Sequence, residues 1–184
     1  FNRNLGIFGS GDAFEHQYKL AFIRNTKKLV EEEILDERLL DFDLTKLSDA
    51  LVLSRDLKFK YLGLQILYDR YLHHVNDRRM ETPQAFWMRV AMGLALESKA
   101  IEFYGALSQF HLCCSTPTLF NSGSTHSQLS SCYLNTFDDS IDGIFEGLWQ
   151  EARKSKYAGG LGFDVTNFRA SNSYVKGTNG KSSG

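Results

Sequence analysis

The segment from Leu129 to Val165 constrains the fold more than any other part of the sequence. Ile141, Ile144, Phe145, Leu148, Trp149 and Ala152 recur at helical spacing and form one apolar face. Asp139 or Ser140 is placed to cap the start of this helix. Asp142 and Glu146 complement its positive end, and Arg153, Lys154 and Lys156 its negative end. Gly159 or Gly160 supplies the stop. Before the helix, residues 129–136 partly alternate and end at an acidic turn, which suits a strand; after it, Leu161 to Val165 reads as a second strand. Strand, helix, strand predicts the opening of a βα layer, since parallel strands need such a crossover.

The chain before this segment has a different texture. From about Lys19 to Leu40 the residues Phe22, Ile23, Leu29, Val30, Ile34 and Leu35 recur at mixed three and four spacing, which predicts one or two amphipathic helices. Glu31, Glu32 and Glu33 read as a solvated helical face rather than metal ligands. Residues 56–72 repeat the pattern with Phe59, Leu62, Gly63, Ile66, Leu67 and Leu72, predicting a core-packing helix. His73 and His74 follow it without the spacing of a metal site, which leaves a helix-terminal role. Thr82-Pro83 is a strong helix start, because Thr caps free amides and Pro loses only an N–H that has no partner there. A helix through Phe86, Trp87, Val90 and Leu94 follows, and a second from about Lys99 carries Ile101, Tyr104, Leu107 and Phe110. Up to residue 112 the chain predicts a helical domain; residues 1–15 carry Gly6, Gly9 and Gly11 and fit no element. Residues 113–128, rich in Ser, Thr, Asn and Gly, predict an irregular segment.

Composition excludes several functions. With 21 Lys and Arg against 22 Asp and Glu, the 184 residues carry a net charge of -1, so nothing implies a general grip on nucleic acid or an anionic membrane. The longest apolar runs fall well short of the roughly 20 residues needed to cross a bilayer, and no signal peptide is visible. Three cysteines without C-x-x-C spacing fit a reducing compartment. A cytoplasmic location is the resulting expectation. The opening Phe1 and the closing loop from Gly177 to Gly184 read as parts of something longer.

Three groups of residues have chemical potential. Cys132, mid-strand beside Ser130 and Ser131, is either a small buried hydrophobe or a reactive thiol. Cys113 and Cys114 fit packing, and no zinc motif is present. Gly159-Gly160-Leu161-Gly162 matches neither the dinucleotide fingerprint nor the P-loop. Together with Ser115, Thr116, Ser130 and Ser131 it supplies small donors of the kind that hold a phosphorylated ligand, or it is a turn that only reverses the chain.

Five motifs in order then resemble one family. They are Ser115-Thr116-Pro117-Thr118-Leu119-Phe120-Asn121, Gln128-Leu129-Ser130-Ser131-Cys132-Tyr133-Leu134, Asp138-Asp139-Ser140-Ile141, Ser155-Lys156-Tyr157-Ala158-Gly159-Gly160-Leu161-Gly162 and Lys176-Gly177-Thr178-Asn179-Gly180. Their order and spacing resemble the large (α) subunit of ribonucleotide reductase, most closely class I. Leu67 to Leu72, Glu81 to Gln84 and Met88 to Leu94 resemble that family's helical domain, so the likeness covers residues 56–184.

The resemblance implies an α/β architecture: a mainly helical N-terminal domain over residues 1–127, then the opening strand-helix-strand portion of a ten-stranded α/β barrel over 128–184, incomplete in this chain. It implies that Cys132 is one of two thiols that become a disulfide as the ribose 2′-hydroxyl is replaced by hydrogen. The other thiol, the thiyl-radical cysteine and their neighbours belong to later segments. Thr116, Ser131 and Gly159 match positions that hold substrate phosphates and ribose. Asp139, Ser140, Ile141, Lys156 and Arg169 match the site where a deoxynucleoside triphosphate or ATP sets substrate choice. From the residues alone, Asp139 reads as an N-cap and Arg169 as a surface charge.

Further implications concern partners. No cofactor or metal is bound directly; the radical comes from a separate metal-bearing small subunit, or from adenosylcobalamin in a class II enzyme. The remainder of the subunit, a homodimer partner meeting the 140–157 helix, and thioredoxin or glutaredoxin as reductant complete the set, with no nucleic acid and no membrane. The family's N-terminal activity domain has no counterpart in residues 1–50, and this chain by itself is expected to be inactive. A strand at 129–136 without its barrel neighbours would be unpaired on at least one side. A nucleotide-binding module, or a helical structural fragment without redox chemistry, are the alternatives.

Overall fold

The computed structural model describes residues 5, 7, 8 and 10–183. Of the opening fifteen, residues 1–4, 6 and 9 therefore lie outside the description. The chain divides into two compact units, Phe1–Leu129 and Ser130–Gly184.

The first unit is helical. Its elements are α1 (Gly11–Glu31), α2 (Leu44–Asp49), α3 (Tyr61–Ile66), a hairpin of β1 (His74–Val75) and β2 (Arg78–Arg79), α4 (Pro83–Leu94), α5 (Glu97–Ser108) and α6 (Thr116–Asn121), with 3-10 turns at Glu37–Asp41 and Leu53–Lys58. Helix α1 begins earlier than its periodicity implied. Asp12 favours its positive end, and Tyr18, Ala21, Phe22, Asn25 and Leu29 share the inward stripe. It also ends earlier, because Glu33 takes a left-handed φ of 57° and turns the chain, after which Leu35 returns to the core from extended backbone and Leu39 from the 3-10 turn. Glu31, Glu32 and Glu33 are exposed.

The helix expected to pack the core over 56–72 is largely a surface element. Leu62 is 67% exposed and Ile66 42%, whereas Leu67 and Leu72 are buried. Helix α3 is followed directly by a wide π turn, Leu67–Tyr71, which shifts the helical register. A stripe drawn at regular spacing consequently misses the face that reaches the core. The two histidines do not end a helix either: His74 belongs to the hairpin, and the carbonyl of His73 accepts from the Met80 N–H at 2.9 Å. Asn76 and Asp77, both at positive φ, form its two-residue turn.

Helix α4 runs through the middle of this unit. Thr82 Oγ1 accepts from the Ala85 N–H at 3.3 Å and Pro83 occupies the first turn, as the sequence implied. Phe86, Met88, Val90, Ala91 and Met92 are buried around its whole circumference, and α5 packs on it through Ala100, Tyr104 and Leu107. Phe59, Trp87 and Phe110 form an aromatic cluster, each pair of this kind contributing about 0.5–1.5 kcal/mol beyond burial. Several polar side chains between the helices are paired, although the buried Trp87 Nε1 and His73 Nε2 have no hydrogen-bond partner among the described residues. Asp56 accepts from Tyr18 Oη at 2.9 Å and Gln84 Nε2 at 2.6 Å, and Gln84 Oε1 accepts from Tyr104 Oη at 2.6 Å. Residues 113–128 are less irregular than their composition implied, since α6 interrupts them; Pro117 fits its first turn.

The second unit contains β3 (Cys132–Thr136), α7 (Ile141–Lys156), β4 (Gly160–Asp164) and a small hairpin of β5 (Tyr174–Val175) and β6 (Gly180–Lys181). Strands β3 and β4 are parallel, with Cys132 opposite Gly160 and Thr136 opposite Asp164, so α7 is the crossover of a βαβ unit. They form a two-stranded sheet among the described residues, and the remaining strands of a barrel are not in this chain. No helix among the described residues is long and apolar enough to cross a membrane.

Helix α7 meets β3 through Gln150 and Lys154, and its Gly147 lies against Phe137 just beyond the strand. A Cβ on Gly147 would lie 2.4 Å from Phe137 Cε1, so glycine is what permits this approach. The apolar stripe faces elsewhere. Ile141 is 72% exposed, Phe145 65%, Leu148 49% and Trp149 55%.

Candidate functional site

The two faces of β3 differ. Side chains alternate along a strand, and Tyr133 and Asn135 turn toward α7: Lys154 Nζ lies 5.4 Å from the Tyr133 ring centroid, and Asn135 Nδ2 donates to Gln150 Oε1 at 3.4 Å. Cys132, Leu134 and Thr136 take the other face and are exposed. Cys132 is the first residue of β3 rather than mid-strand, since the strand begins three residues later than expected, and it is not a buried hydrophobe. Its thiol accepts from Ser131 Oγ at 3.6 Å. It forms no disulfide; Cys113 and Cys114 are also free, with Cys113 exposed and burial pushing the Cys114 thiol up.

Ser131 and the glycine turn meet at the entry to the parallel pair. The Gly160 N–H donates to the Ser131 carbonyl at 2.6 Å. Gly159 lies against Tyr133, where a Cβ would come 2.8 Å from Cε2. Substituting either strand entry with a larger residue would displace the other. The stop of α7 is not made by a glycine, however: Ala158 takes the left-handed conformation at φ 63°. The Gly159 N–H completes that stop by donating to the Lys154 carbonyl at 3.2 Å, and both glycines allow close backbone approach. Ser131, Cys132 and Gly159 are brought together in this unit. Thr116 belongs to the helical unit, exposed at the start of α6 with Oγ1 3.3 Å from Tyr71 Oη.

At the other end of β3 the five remaining candidates separate into two places. Ser140 caps α7, its Oγ accepting from the Gly143 N–H at 3.0 Å. Asp139 is not the cap; its Oδ2 accepts from the Arg169 backbone N–H at 3.2 Å and from Arg169 Nε, and its carbonyl accepts from Arg169 Nη2 at 3.2 Å. This pair, about one-third exposed, leaves further guanidinium N–H groups directed to solvent. Ile141 is exposed beside it. Lys156 is fifteen residues further along the helix, about 22 Å away at 1.5 Å per residue, with Nζ 5.4 Å from the Tyr157 ring centroid. One copy of the chain does not bring Lys156 to Asp139. Among the described residues no group of three or more His, Cys, Asp or Glu converges on a metal position.

Residues 57–127 match the all-alpha domain of ribonucleotide reductase, and residues 130–184 match its barrel domain. The chain is 56% identical over 148 residues to the ribonucleoside-diphosphate reductase subunit alpha of Chlamydia muridarum, covering 78% of this chain and 14% of that protein. It is 44% identical over 149 residues to the subunit alpha of Helicobacter pylori strain J99, covering 78% and 19%. The large subunit of the monkeypox virus reductase is 45% identical over 143 residues, covering 76% and 18%. The chain belongs to the ribonucleotide reductase large-subunit family, with its helical unit in the all-alpha domain and its βαβ unit in the barrel domain. It spans less than one-fifth of the length of these relatives.

The sequence reading passed over residues that hold the candidates in place. Tyr71 touches Thr116 and stacks on Phe120 at 4.7 Å between ring centroids, yet nothing local distinguishes it from its tyrosine neighbours. The pairing of Asp139 with Arg169 spans thirty residues, and no local signal chooses it over a cap.

Proposed function

We propose that the complete subunit reduces ribonucleoside diphosphates to 2′-deoxyribonucleotides by thiyl-radical chemistry. In that reaction Cys132 is one of the two reducing thiols. The two thiols give up two electrons and two protons; a disulfide forms, the 2′-carbon–oxygen bond breaks, the oxygen leaves as water, and hydrogen takes its place. The observation that carries this reading is the placement of Cys132 beside Ser131 and the glycine turn, on the face of β3 opposite to the one that meets α7. An exposed thiol is available for exchange with a dithiol protein such as thioredoxin or glutaredoxin. Thr116 and Ser131 supply hydroxyl donors for the substrate's phosphates and ribose and Gly159 allows their close approach to the backbone, in keeping with a site without bulky cations.

Asp139, Ser140, Ile141, Lys156 and Arg169 form the effector site for a deoxynucleoside triphosphate or ATP. The Arg169 guanidinium holds the triphosphate, and Asp139 accepts from a ribose hydroxyl. The exposed stripe of α7 makes the homodimer contact. A two-fold axis that pairs this helix antiparallel with its mate carries Lys156 of one copy to the start of the other copy's helix, which resolves the 22 Å separation, about fifteen residues at 1.5 Å each. The remainder of the subunit closes the barrel. A separate metal-bearing small subunit supplies the radical, with adenosylcobalamin as the source in the class II case; this chain binds no cofactor directly.

The test is Cys132→Ser in the complete subunit. Oxygen cannot replace sulfur in the disulfide, so multiple turnover with dithiol reductants is expected to cease while nucleotide binding persists. Normal multiple turnover by that variant rejects the assignment.

A further inference from the structure

We infer that Arg89 is a positioning residue for the substrate phosphates, acting through the backbone of the turn that carries Thr116. The inference rests on the reading of Thr116 given above and adds to it a residue of α4 that touches no substrate.

Arg89 and Glu81 form a buried ion pair, Nε to Oε1 at 2.7 Å, with side chains 3% and 4% exposed. Withdrawing two such charges from water is costly and is offset only when their remaining hydrogen-bonding atoms are satisfied. Here they are. The other carboxylate oxygen of Glu81 accepts from the His73 backbone N–H at 2.8 Å. The guanidinium Nη1 donates to the carbonyls of Ser122 at 2.7 Å and Leu119 at 3.3 Å, and Nη2 to that of Leu119 at 3.2 Å. Arg89 therefore spends its fork on the backbone at the end of α6, the six-residue helix whose first residue is Thr116.

Further contacts close the clamp. Ser122 Oγ donates to the Val90 carbonyl at 2.8 Å. A Cβ on Gly93 would come 2.2 Å from the Gly123 nitrogen, so α4 and this turn are in backbone contact. Gly123, at φ 77°, faces Arg89 and Leu39, and its carbonyl accepts from the Asp36 N–H at 3.0 Å. From the α6 side, Thr118 Oγ1 donates to the Leu129 carbonyl at 3.0 Å and Asn121 Nδ2 to the Gln128 carbonyl at 2.8 Å. An exposed hydroxyl on a helix this short has no rigidity of its own. Its position is inherited from the buried fork beneath it.

A lysine at position 89 retains the charge opposite Glu81 but presents no fork to two carbonyls. The experiment is a double-mutant cycle in the complete large subunit, assayed with its radical source for KM, kcat and thermal midpoint. Arg89→Lys is expected to raise KM for the nucleoside diphosphate about tenfold with kcat changed less than about twofold. Thr116→Val is expected to raise it similarly. The double variant is then no worse than either single one, since both changes remove one interaction. Raised KM in Thr116→Val with a normal KM in Arg89→Lys, or strictly additive effects, overturns the positioning role and leaves Thr116 as read. A normal KM in Thr116→Val overturns the reading of Thr116 and the inference with it. If Arg89→Lys fails to fold, Ser122→Ala enters the same cycle and is judged by the same outcomes.

Discussion

The ring of Phe137 occupies the space where a side chain on Gly147 would stand, with Cε1, Cδ1 and Cζ all within 3.0 Å of a Cβ built there. Phe137 is buried and packs against Phe163 and Phe168 at centroid distances of 5.4 and 6.5 Å, so it has no free direction in which to turn. Gly147→Ala gains about 1 kcal/mol of helix propensity but overpacks this contact, at a cost of about 1–3 kcal/mol. The expected result is a lower urea midpoint for the barrel-domain unit. An unchanged or raised midpoint would show that α7 lifts from the strand freely.

His73 sets an acid limit on the helical unit. Burial, reinforced by the nearby Arg89 charge, lowers its pKa from 6.5 to about 4, with Glu81 opposing and His74 adding to the shift. The native state thus favours neutral imidazole, and the unfolded chain binds more protons between these values. Stability from this group is complete above pH 6.5 and declines as pH falls toward about 4. At 1.36 kcal/mol per unit the loss is about 3 kcal/mol at most. Glu81 adds a loss at still lower pH, because Arg89 and the His73 N–H outweigh burial and hold its carboxyl below the usual range. Urea midpoints measured from pH 7 to 4.5 are expected to fall in the wild type and to fall less in His73→Gln; equal slopes would remove His73 as the cause.

The effector reading separates two neighbouring residues. Asp139→Asn replaces the charged acceptor of the ribose hydroxyl with a neutral amide and is expected to weaken deoxynucleoside triphosphate binding about tenfold. Its thermal midpoint should hold, since it does not cap the helix. Ser140→Ala loses the bond to the Gly143 N–H and about 1 kcal/mol of stability. Equilibrium binding and calorimetry on both variants check the division; reversed behaviour would return Asp139 to the role of cap.

The homodimer contact is testable at Trp149, which is 55% exposed with Arg153 stacked at 4.8 Å. Buried aromatic anchors contribute about 2 kcal/mol or more to an interface. Trp149→Glu is expected to shift the complete subunit toward monomer in sedimentation with its circular dichroism unchanged. A dimer of undiminished affinity would place the interface elsewhere.

Local chemistry made α4 and α7 legible. Thr82 with Pro83, and Ser140 with the charge gradient from Asp142 to Lys156, act over a few residues, and the structure uses them as written. Amphipathicity located α7 but did not say what its stripe meets, because a periodic apolar face is the same whether it is turned to a core or to another chain. The stripe over 56–72 failed for another reason: the π turn at Leu67–Tyr71 breaks the period on which it was drawn. Cys132 was legible as a residue of a strand, but its exposure depends on which face α7 covers, and that is decided by Gly147 and Phe137 fitting together. The buried fork of Arg89 had no signal at all, since it joins residues thirty and more positions apart.

Because Ser140 satisfies the first turn of α7, the neighbouring carboxylate of Asp139 carries no duty toward the helix. Two adjacent residues divide what a single capping aspartate would have to combine. On the proposed effector reading, Arg169 exchanges its partner on Asp139 for another anion while every backbone bond of α7 stays as it is, so occupancy at this corner turns over many times without fraying the helix that presents it.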